Sequence, residues 1–345
     1  MSRRAAGLLL CIAACTASCA GDAGARVARW RPFAAVKGVV DLTAARSDGR
    51  LTVAVAGHLG LLRLGGAPAP FARGYETSSG EPYIALSPGQ RVAGARCAFH
   101  RDDVYALEPS AAPARPAVVR VDTAGRVRRV ALLPAGTFPN GLAFDMAGAF
   151  GHRLLVTADT GGGRAALYTL DCRNGRRTVA ARIPAVEGGM VVAPPGFGRF
   201  GGRLIAPDEL HGRLIAVDAR GRAVVLARSG LPAGGDIGVE SLGFVPPGFE
   251  RCMTALLADR AVAGAPHPGT DSILGVAGAA LRTAGVQAGD LLAATEGGGE
   301  TIAVRCGRRA CIVRLVAHGP AVTHAEGHIV FAPGTSSSRR GRLAG

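Results

Sequence analysis

The chain has 345 residues, a net charge of +15, and 51 glycines and 21 prolines spread along its length. That density of turn formers, without a long amphipathic period, excludes helical bundles and doubly wound α/β sheets and favours short strands in a sandwich, barrel or propeller. The charge does not indicate nucleic acid: 39 of the 40 basic residues are arginines scattered over turns and strand starts, with no aromatic-interleaved basic stripe, so an anionic envelope surface is the better partner for it.

The N-terminal stretch "MSRRAAGLLLCIAACTASCAG" has a basic start (Arg3, Arg4), an apolar run of about ten residues and then small residues. It reads as an export signal, too short to span a bilayer. "IAAC" ending at Cys15 and "TASC" ending at Cys19 both resemble the bacterial lipobox, whose cysteine becomes the lipidated first residue. The expected organisation is a lipoprotein-type signal peptide over 1–18, a tether over 19–36, a folded domain over 37–334 and a flexible tail over 335–345. The mature protein is expected outside the cytoplasm as a monomer, anchored to the bacterial cell membrane through Cys19 or Cys15, or secreted, and without a nucleic-acid partner.

Further along, six segments share one grammar: "VVDLTAARSDG" (39–49), "GEPYIALSPG" (80–89), "FPNGLAFDMAG" (138–148), "VEGGMVVAPPG" (186–196), "GVESLGFVPPG" (238–248) and "HAEGHIVFAPG" (324–334). In five of them an acid or amide stands eight residues before the closing glycine: Asp41, Glu81, Asn140, Glu240 and Glu326. In the fourth, Glu187 stands nine before it. A second apolar run follows most of these turns, and often a third that ends in an Asp turn. Self-similar antiparallel units at intervals of roughly 40–60 residues point to an all-β, six-bladed β-propeller of four-stranded blades.

Equivalent strand starts converge on one mouth of a propeller's channel. Glu81, Asn140, Glu187, Glu240 and Glu326 then form a ring of oxygen donors suited to a divalent cation, calcium fitting best, with Asp41 beside them. Second strands return to the same mouth, which adds His58, His100 and Arg101, Asp159, Asp208 and Glu209, and Asp259 and Arg260. His328, two residues beyond Glu326, points into the channel below the ring.

The last third is irregular. "TDSILGVAGAALRTAG" (270–285) reads either as a helix over the mouth or as two strands. "AGDLLAATEGGGETIAVRC" (288–306) matches the second-to-third strand pattern of 151–172, aligning Glu296 with Asp159. Two closures of the last blade stay open: residues 27–40 supply a strand, or 324–334 is itself the closing strand and Asp290 joins the ring. Outside the cytoplasm the cysteines can oxidise. Cys306 and Cys311 flank a four-residue turn and are expected to pair; the pairing of Cys97, Cys172 and Cys252 is open.

The segment 138–218 resembles the gluconolactonase/regucalcin-like family of six-bladed propellers, through "PNGLAFD", "LLVTADT", "GGM" and "GRLIAVDARG". The resemblance implies a catalytic divalent metal held by the asparagine of an "NGL" strand, the aspartate of a "DGM" strand and a glutamate of a "GE-P" strand. Asn140 falls on the asparagine and Glu81 on the glutamate, whereas Gly188 falls where the aspartate is expected, one residue after Glu187. Two functions follow. One is a lactonase-like hydrolase acting on a small-molecule substrate, in which a cation polarises the carbonyl and Asp208 or His328 activates water. The other is a non-catalytic envelope propeller that binds a ligand or partner protein.

Overall fold

The computed structural model describes residues 27–77, 81–109 and 115–334. The expected signal peptide, Cys15, Cys19 and the tail over 335–345 lie outside the described residues. Short apolar runs closed by Gly, Pro or Asp turns become strands buried on both faces, such as Leu51–Val55 and Leu154–Asp159.

The fold is all-β and propeller-like. Four antiparallel sheets have four strands each, with innermost strands Val39–Leu42, Ile84–Leu86, Phe138–Phe144 and Val191–Val192. A fifth sheet has nine strands, in the order Ala28–Arg29, Cys311–His318, Thr301–Cys306, Leu291–Thr295, Val239–Phe244, Ala325–Pro333, Met253–Asp259, Ser272–Ala277 and Arg31–Ala35. Its two halves are each antiparallel, apart from the outermost Ala28–Arg29 strand, and they meet through one parallel pair, Leu242 with His328. Apolar layers seal each sheet against the next around the axis. Tyr105 and Leu107 pack on Leu142 and Phe144 between the second and third sheets, where Phe99, Tyr105 and Phe144 meet edge to face. Val39 and Leu51 pack on Leu256, Ile273 and Val330, which joins the first sheet to the last. A further layer, including Leu257, Leu274, Leu292 and Val316, lies between the halves of the nine-stranded sheet.

The last third departs from simple blade order. "CMTALLADR", expected to follow Val239–Phe244 within one blade, forms the strand Met253–Asp259 and pairs with Ala325–Pro333 instead. The partner of Val239–Phe244 is Leu291–Thr295, followed by Thr301–Cys306, in line with the match between 288–306 and 151–172. The chain thus crosses to the neighbouring half, lays down two strands and returns. Of the two closures left open, the N-terminal one holds: Arg31–Ala35 pairs with Ser272–Ala277 and Ala28–Arg29 with Cys311–His318, so residues 28–29 and 31–35 are strands rather than tether. Trp30 is buried between them and donates to Thr301 Oγ1. The segment 270–285 is a strand followed by the helix Gly278–Thr283, which packs beside Phe249–Cys252 at the end away from the mouth, not over it. Among the described residues no helix is long and apolar enough to cross a membrane.

Cys306 and Cys311 are joined, as are Cys97 and Cys172, while Cys252 is free and exposed. The second bond ties the hairpin Arg91–Val92/Cys97–Ala98 to the third sheet across a sequence separation of 75, against 5 for Cys306–Cys311. Loop-closure entropy scales with the logarithm of that length, giving upper values of about 4 and about 2 kcal/mol. Cys97→Ser/Cys172→Ser is expected to lower the urea midpoint more than Cys306→Ser/Cys311→Ser; equal losses would show that chain entropy is not the main contribution.

Candidate functional site: an acidic mouth on the axis

The innermost strands do not reach the axis as regular ladders. Asn140 is the extra residue between the pairs Pro139–Ala158 and Gly141–Thr157, and Glu240 is the extra residue between Val239–Thr295 and Ser241–Ala294. Such bulges re-aim a side chain, and here they occupy corresponding places on two sheets. In the first sheet the same place is held by Val40, so Asp41 lies one residue past it. Its buried carboxylate is consumed by the amides of Leu42, Ile84 and His328 and by the His328 ring. Asp41 is therefore a brace under the mouth, not an open ligand.

Glu81, Glu240 and Glu326 do converge, each offering an oxygen within 4.8 Å of the others. Tyr83, two residues after Glu81 in the turn that leads into Ile84–Leu86, puts its hydroxyl 2.9 Å from Glu81 Oε2, 2.5 Å from Glu240 Oε1 and 3.3 Å from Glu326 Oε2. A phenol donates one proton, so at least one of these carboxyls must be protonated to satisfy the group. Arg260 Nη1 bridges Glu81 Oε1 at 2.5 Å and Glu326 Oε1 at 2.9 Å. A second group shares Glu326: His324 Nε2 is 2.7 Å from Glu296 and 3.6 Å from Glu326, while His324 Nδ1 is 3.0 Å from the His267 carbonyl.

Burial and mutual repulsion set the proton affinities. Burial, then Glu326, pushes Glu81 up to about 7; burial, then Glu209, pushes Glu187 to about 7. Burial and a hydrogen bond with Glu296 take Glu209 to about 8, and burial with Glu326 takes Glu240 well above the usual carboxylate range. Burial would also raise Glu326, but hydrogen bonds from His324 and Glu240, with Arg260 alongside, bring it below its ordinary value. Burial works against the His324 charge, yet Glu296 and Glu326 raise it to about 10. Glu326 is thus the ionised centre, and Glu240 is the proton donor beside it.

Asn140 lies at the same mouth. Its Nδ2 donates to the Val186 carbonyl at 2.7 Å, and its buried Oδ1 has no partner. Gly188 donates its amide to the Asn140 carbonyl and has φ +89°. A Cβ there would stand 2.3 Å from Glu240 Cγ. The space that an aspartate at 188 would need is thus filled by Glu240 from the next strand. Glu187, one residue earlier, is half-buried, and no described residue hydrogen-bonds its carboxylate.

Other expected residues sit elsewhere or are already engaged. Asp208 lies at the mouth end but is bound by Arg213 and His211 Nδ1, so it is not a free base. His328 contacts Asp41 through Nδ1 and lies 3.1 Å from the Met190 carbonyl through Nε2, below the ring. Asp259 is buried and accepts from Thr270 and the His324 amide; Asp159, half-exposed on the rim, accepts from Gly161. His58 is exposed at the outer edge of the mouth. His100 and Arg101 are misplaced: the second strand of that sheet is Val104–Glu108, which runs towards the mouth, so both residues lie at the far end of the molecule. The pattern missed Tyr83, which follows Glu81 in "GEPY" through a turn that strand alternation does not describe.

No family model matches the sequence, and no curated protein does. Similar solved structures include gluconolactonase and regucalcin propellers. A gluconolactonase from Xanthomonas campestris is 15% identical, covering 68% of this chain and 70% of its own with a TM-score of 0.40. The calcium-binding protein regucalcin from Agrobacterium tumefaciens is 12% identical, with 68% and 74% coverage and a TM-score of 0.40. A chain of a nidogen/laminin complex is 16% identical, covers 86% of both chains and has a TM-score of 0.51, a likeness of fold alone.

The raised carboxyls fix the sign of the pH dependence. Between the ordinary glutamate value of 4.5 and about 8, the folded protein retains protons that the unfolded chain has released. Stability therefore falls as pH rises, by about 1.4 kcal/mol per pH unit for each proton retained. His324 acts in the same direction: its contribution is complete below 6.5 and lost as pH rises through 10. Glu326 acts oppositely, but only below 4.5. In chelator, the urea midpoint should drop steadily from pH 5 to pH 8. A midpoint that climbs over that range would contradict these assignments.

Proposed function

We propose that the chain is an exported, six-bladed propeller whose acidic mouth binds a divalent cation, calcium being the best fit, and acts as a lactonase-like hydrolase. Six blades follow if the halves of the nine-stranded sheet are counted separately, with Val239–Phe244 and Ala325–Pro333 as their innermost strands; the apolar layer between the halves supports this count.

The observation that carries the functional reading is the unpartnered, buried Asn140 Oδ1 at the mouth where Glu81, Glu240 and Glu326 crowd together. An amide oxygen left without a donor, on a strand start at the same mouth as carboxyls forced to keep protons, is what a hard cation with oxygen ligands would satisfy. Glu81, Glu240 and Asn140 would hold it, and bound there it would polarise an ester carbonyl. Glu187 is assigned a different role from the one its spacing first suggested. Half-exposed, and with no hydrogen bond from any described residue, its carboxylate takes the proton of the attacking water, a part that Asp208 and His328 cannot play while held by Arg213 and Asp41. Glu326 keeps Arg260 and His324 in place and stays a structural anion. Arg260 also favours the second reading, a non-catalytic propeller that binds a ligand or envelope partner, because it already bridges two of the acids.

Calcium titrated into chelated protein at pH 7.5 should raise the melting temperature by mass action. Glu240→Gln keeps a neutral donor towards Glu326 and should abolish that response while leaving the metal-free protein about as stable. Glu187→Gln should retain the response but lose hydrolysis of a chromogenic lactone or ester. A calcium response without hydrolysis in wild type would select the binding protein; no calcium response would remove the metal reading.

Export rests on the N-terminal sequence. The wild type should partition with membranes, and Cys15→Ser/Cys19→Ser should release it; a wild type soluble without detergent would end the lipoprotein proposal.

A further inference from the structure

We propose that the end of the axis opposite the acidic mouth is a second binding site, for a neutral, mainly apolar small molecule. The innermost strands have opposite chemistry at their two ends. They begin near acids and amides, and five of them end on Leu42, Leu86, Phe144, Val192 and Phe244. These terminal residues, with Val330, wall a cavity of about 1100 Å³. That is the scale of a small-molecule site, and too large and too apolar to be a well-satisfied water pocket.

The cavity is separate from the mouth. A Cβ at Gly189, before the innermost strand of the fourth sheet, would lie 2.0 Å from the Gly327 carbonyl oxygen of the nine-stranded sheet, and His328 Nε2 lies 3.1 Å from the Met190 carbonyl. Groups from these two sheets thus meet between the cavity and the mouth. The floor of the cavity is Met190 and the edge of His328. Its outer rim carries Pro194 and Pro195 on one turn and Pro246 and Pro247 on another. Proline fixes φ, so these turns hold the opening apart without a ligand, which lowers the ordering cost of binding.

Charge pairing excludes an ionic ligand. Arg305, on the rim, is bound to both oxygens of Asp290 at 2.7 Å, and His328 is engaged by Asp41. A charged guest would be desolvated and find no free counter-ion. A neutral apolar guest gains by covering aliphatic and aromatic walls. The inference does not depend on the cation or hydrolase reading.

Two fluorescent probes with the same aromatic body test it: neutral N-phenyl-1-naphthylamine and anionic 1-anilinonaphthalene-8-sulfonate. The neutral probe should bind saturably at one per chain, at least tenfold tighter than the sulfonate, and equally with chelator or calcium present. Ala44 and Met146 are exposed on the rim, Met146 by 61%, so enlarging them should not disturb folding. Ala44→Trp and Met146→Trp, singly, should each weaken the neutral probe, and together by at least tenfold, at an unchanged melting temperature. Non-saturable binding, binding unaffected by both tryptophans, or a sulfonate that binds as tightly would overturn the proposal.

Discussion

Glu326 is fully buried, and Arg260, His324, Tyr83 and Glu240 all meet at its carboxyl. An ionised carboxylate in that position costs several kcal/mol of desolvation unless partners replace the lost water. The crossover in the last third is what supplies them. Because Met253–Asp259 lies beside Ala325–Pro333 rather than beside Val239–Phe244, Arg260 emerges next to Glu326 and within reach of Glu81. Thr270 then fixes Asp259, and Asp259 holds the His324 amide, which aims the imidazole at Glu296 and Glu326. An unswapped order would place the guanidinium beside Glu240 and leave His324 as the one cation at Glu326, with Tyr83 and Glu240 as its neutral partners. The odd topology and the charge balance of the mouth are one device.

The same constraint explains which parts were legible in the sequence. The offset of eight residues between acid and turn glycine located the innermost strands, since that spacing is set by strand length and the turn geometry. It also named Glu81, Glu240 and Glu326, whose carboxylates lie within 4.8 Å of one another. It could not show the bulges, because an extra residue at the axis leaves no mark on an apolar run; hence Asp41, placed beside the ring by offset, turned out to be a buried brace. His100 and Arg101 failed for another reason. The hairpin Arg91–Val92/Cys97–Ala98 is apolar enough to imitate a second strand, while the true one begins four residues after His100. Arg260 and Tyr83 were visible as residues, but their roles depend on which half of a sheet a strand joins, and alternation alone does not encode that.

Polarity along the axis follows from how the strands are used. Their beginnings crowd together with acids, bulges and the positive-φ glycines Gly188 and Gly327, and their ends splay apart behind apolar side chains and proline turns. Where the Ala325–Pro333 strand passes the middle, position 327 has no room for a side chain: a Cβ there would lie 2.3 Å from Asp41 Oδ1. That strand can lie against the Asp41 carboxylate only because it presents bare backbone at this point. The mouth and the far cavity are consequences of the chain spreading on either side of that contact.

Gly188 and Glu240 show how such crowding constrains the chemistry at the mouth. Any side chain at 188 would enter the volume that Glu240 fills, so an acid at the axis can come from one strand or from the next, not from both. An aspartate at 188 would need a small residue at 240, and would take from Glu326 the protonated neighbour that helps keep it ionised. The axial acid of this chain therefore stands at 240 and not at 188. There its carboxyl sits between Tyr83 and Glu326, buried and holding its proton well above the usual carboxylate range. A cation binding there must displace a proton before it gains a ligand, which couples affinity to pH more steeply than an open aspartate would.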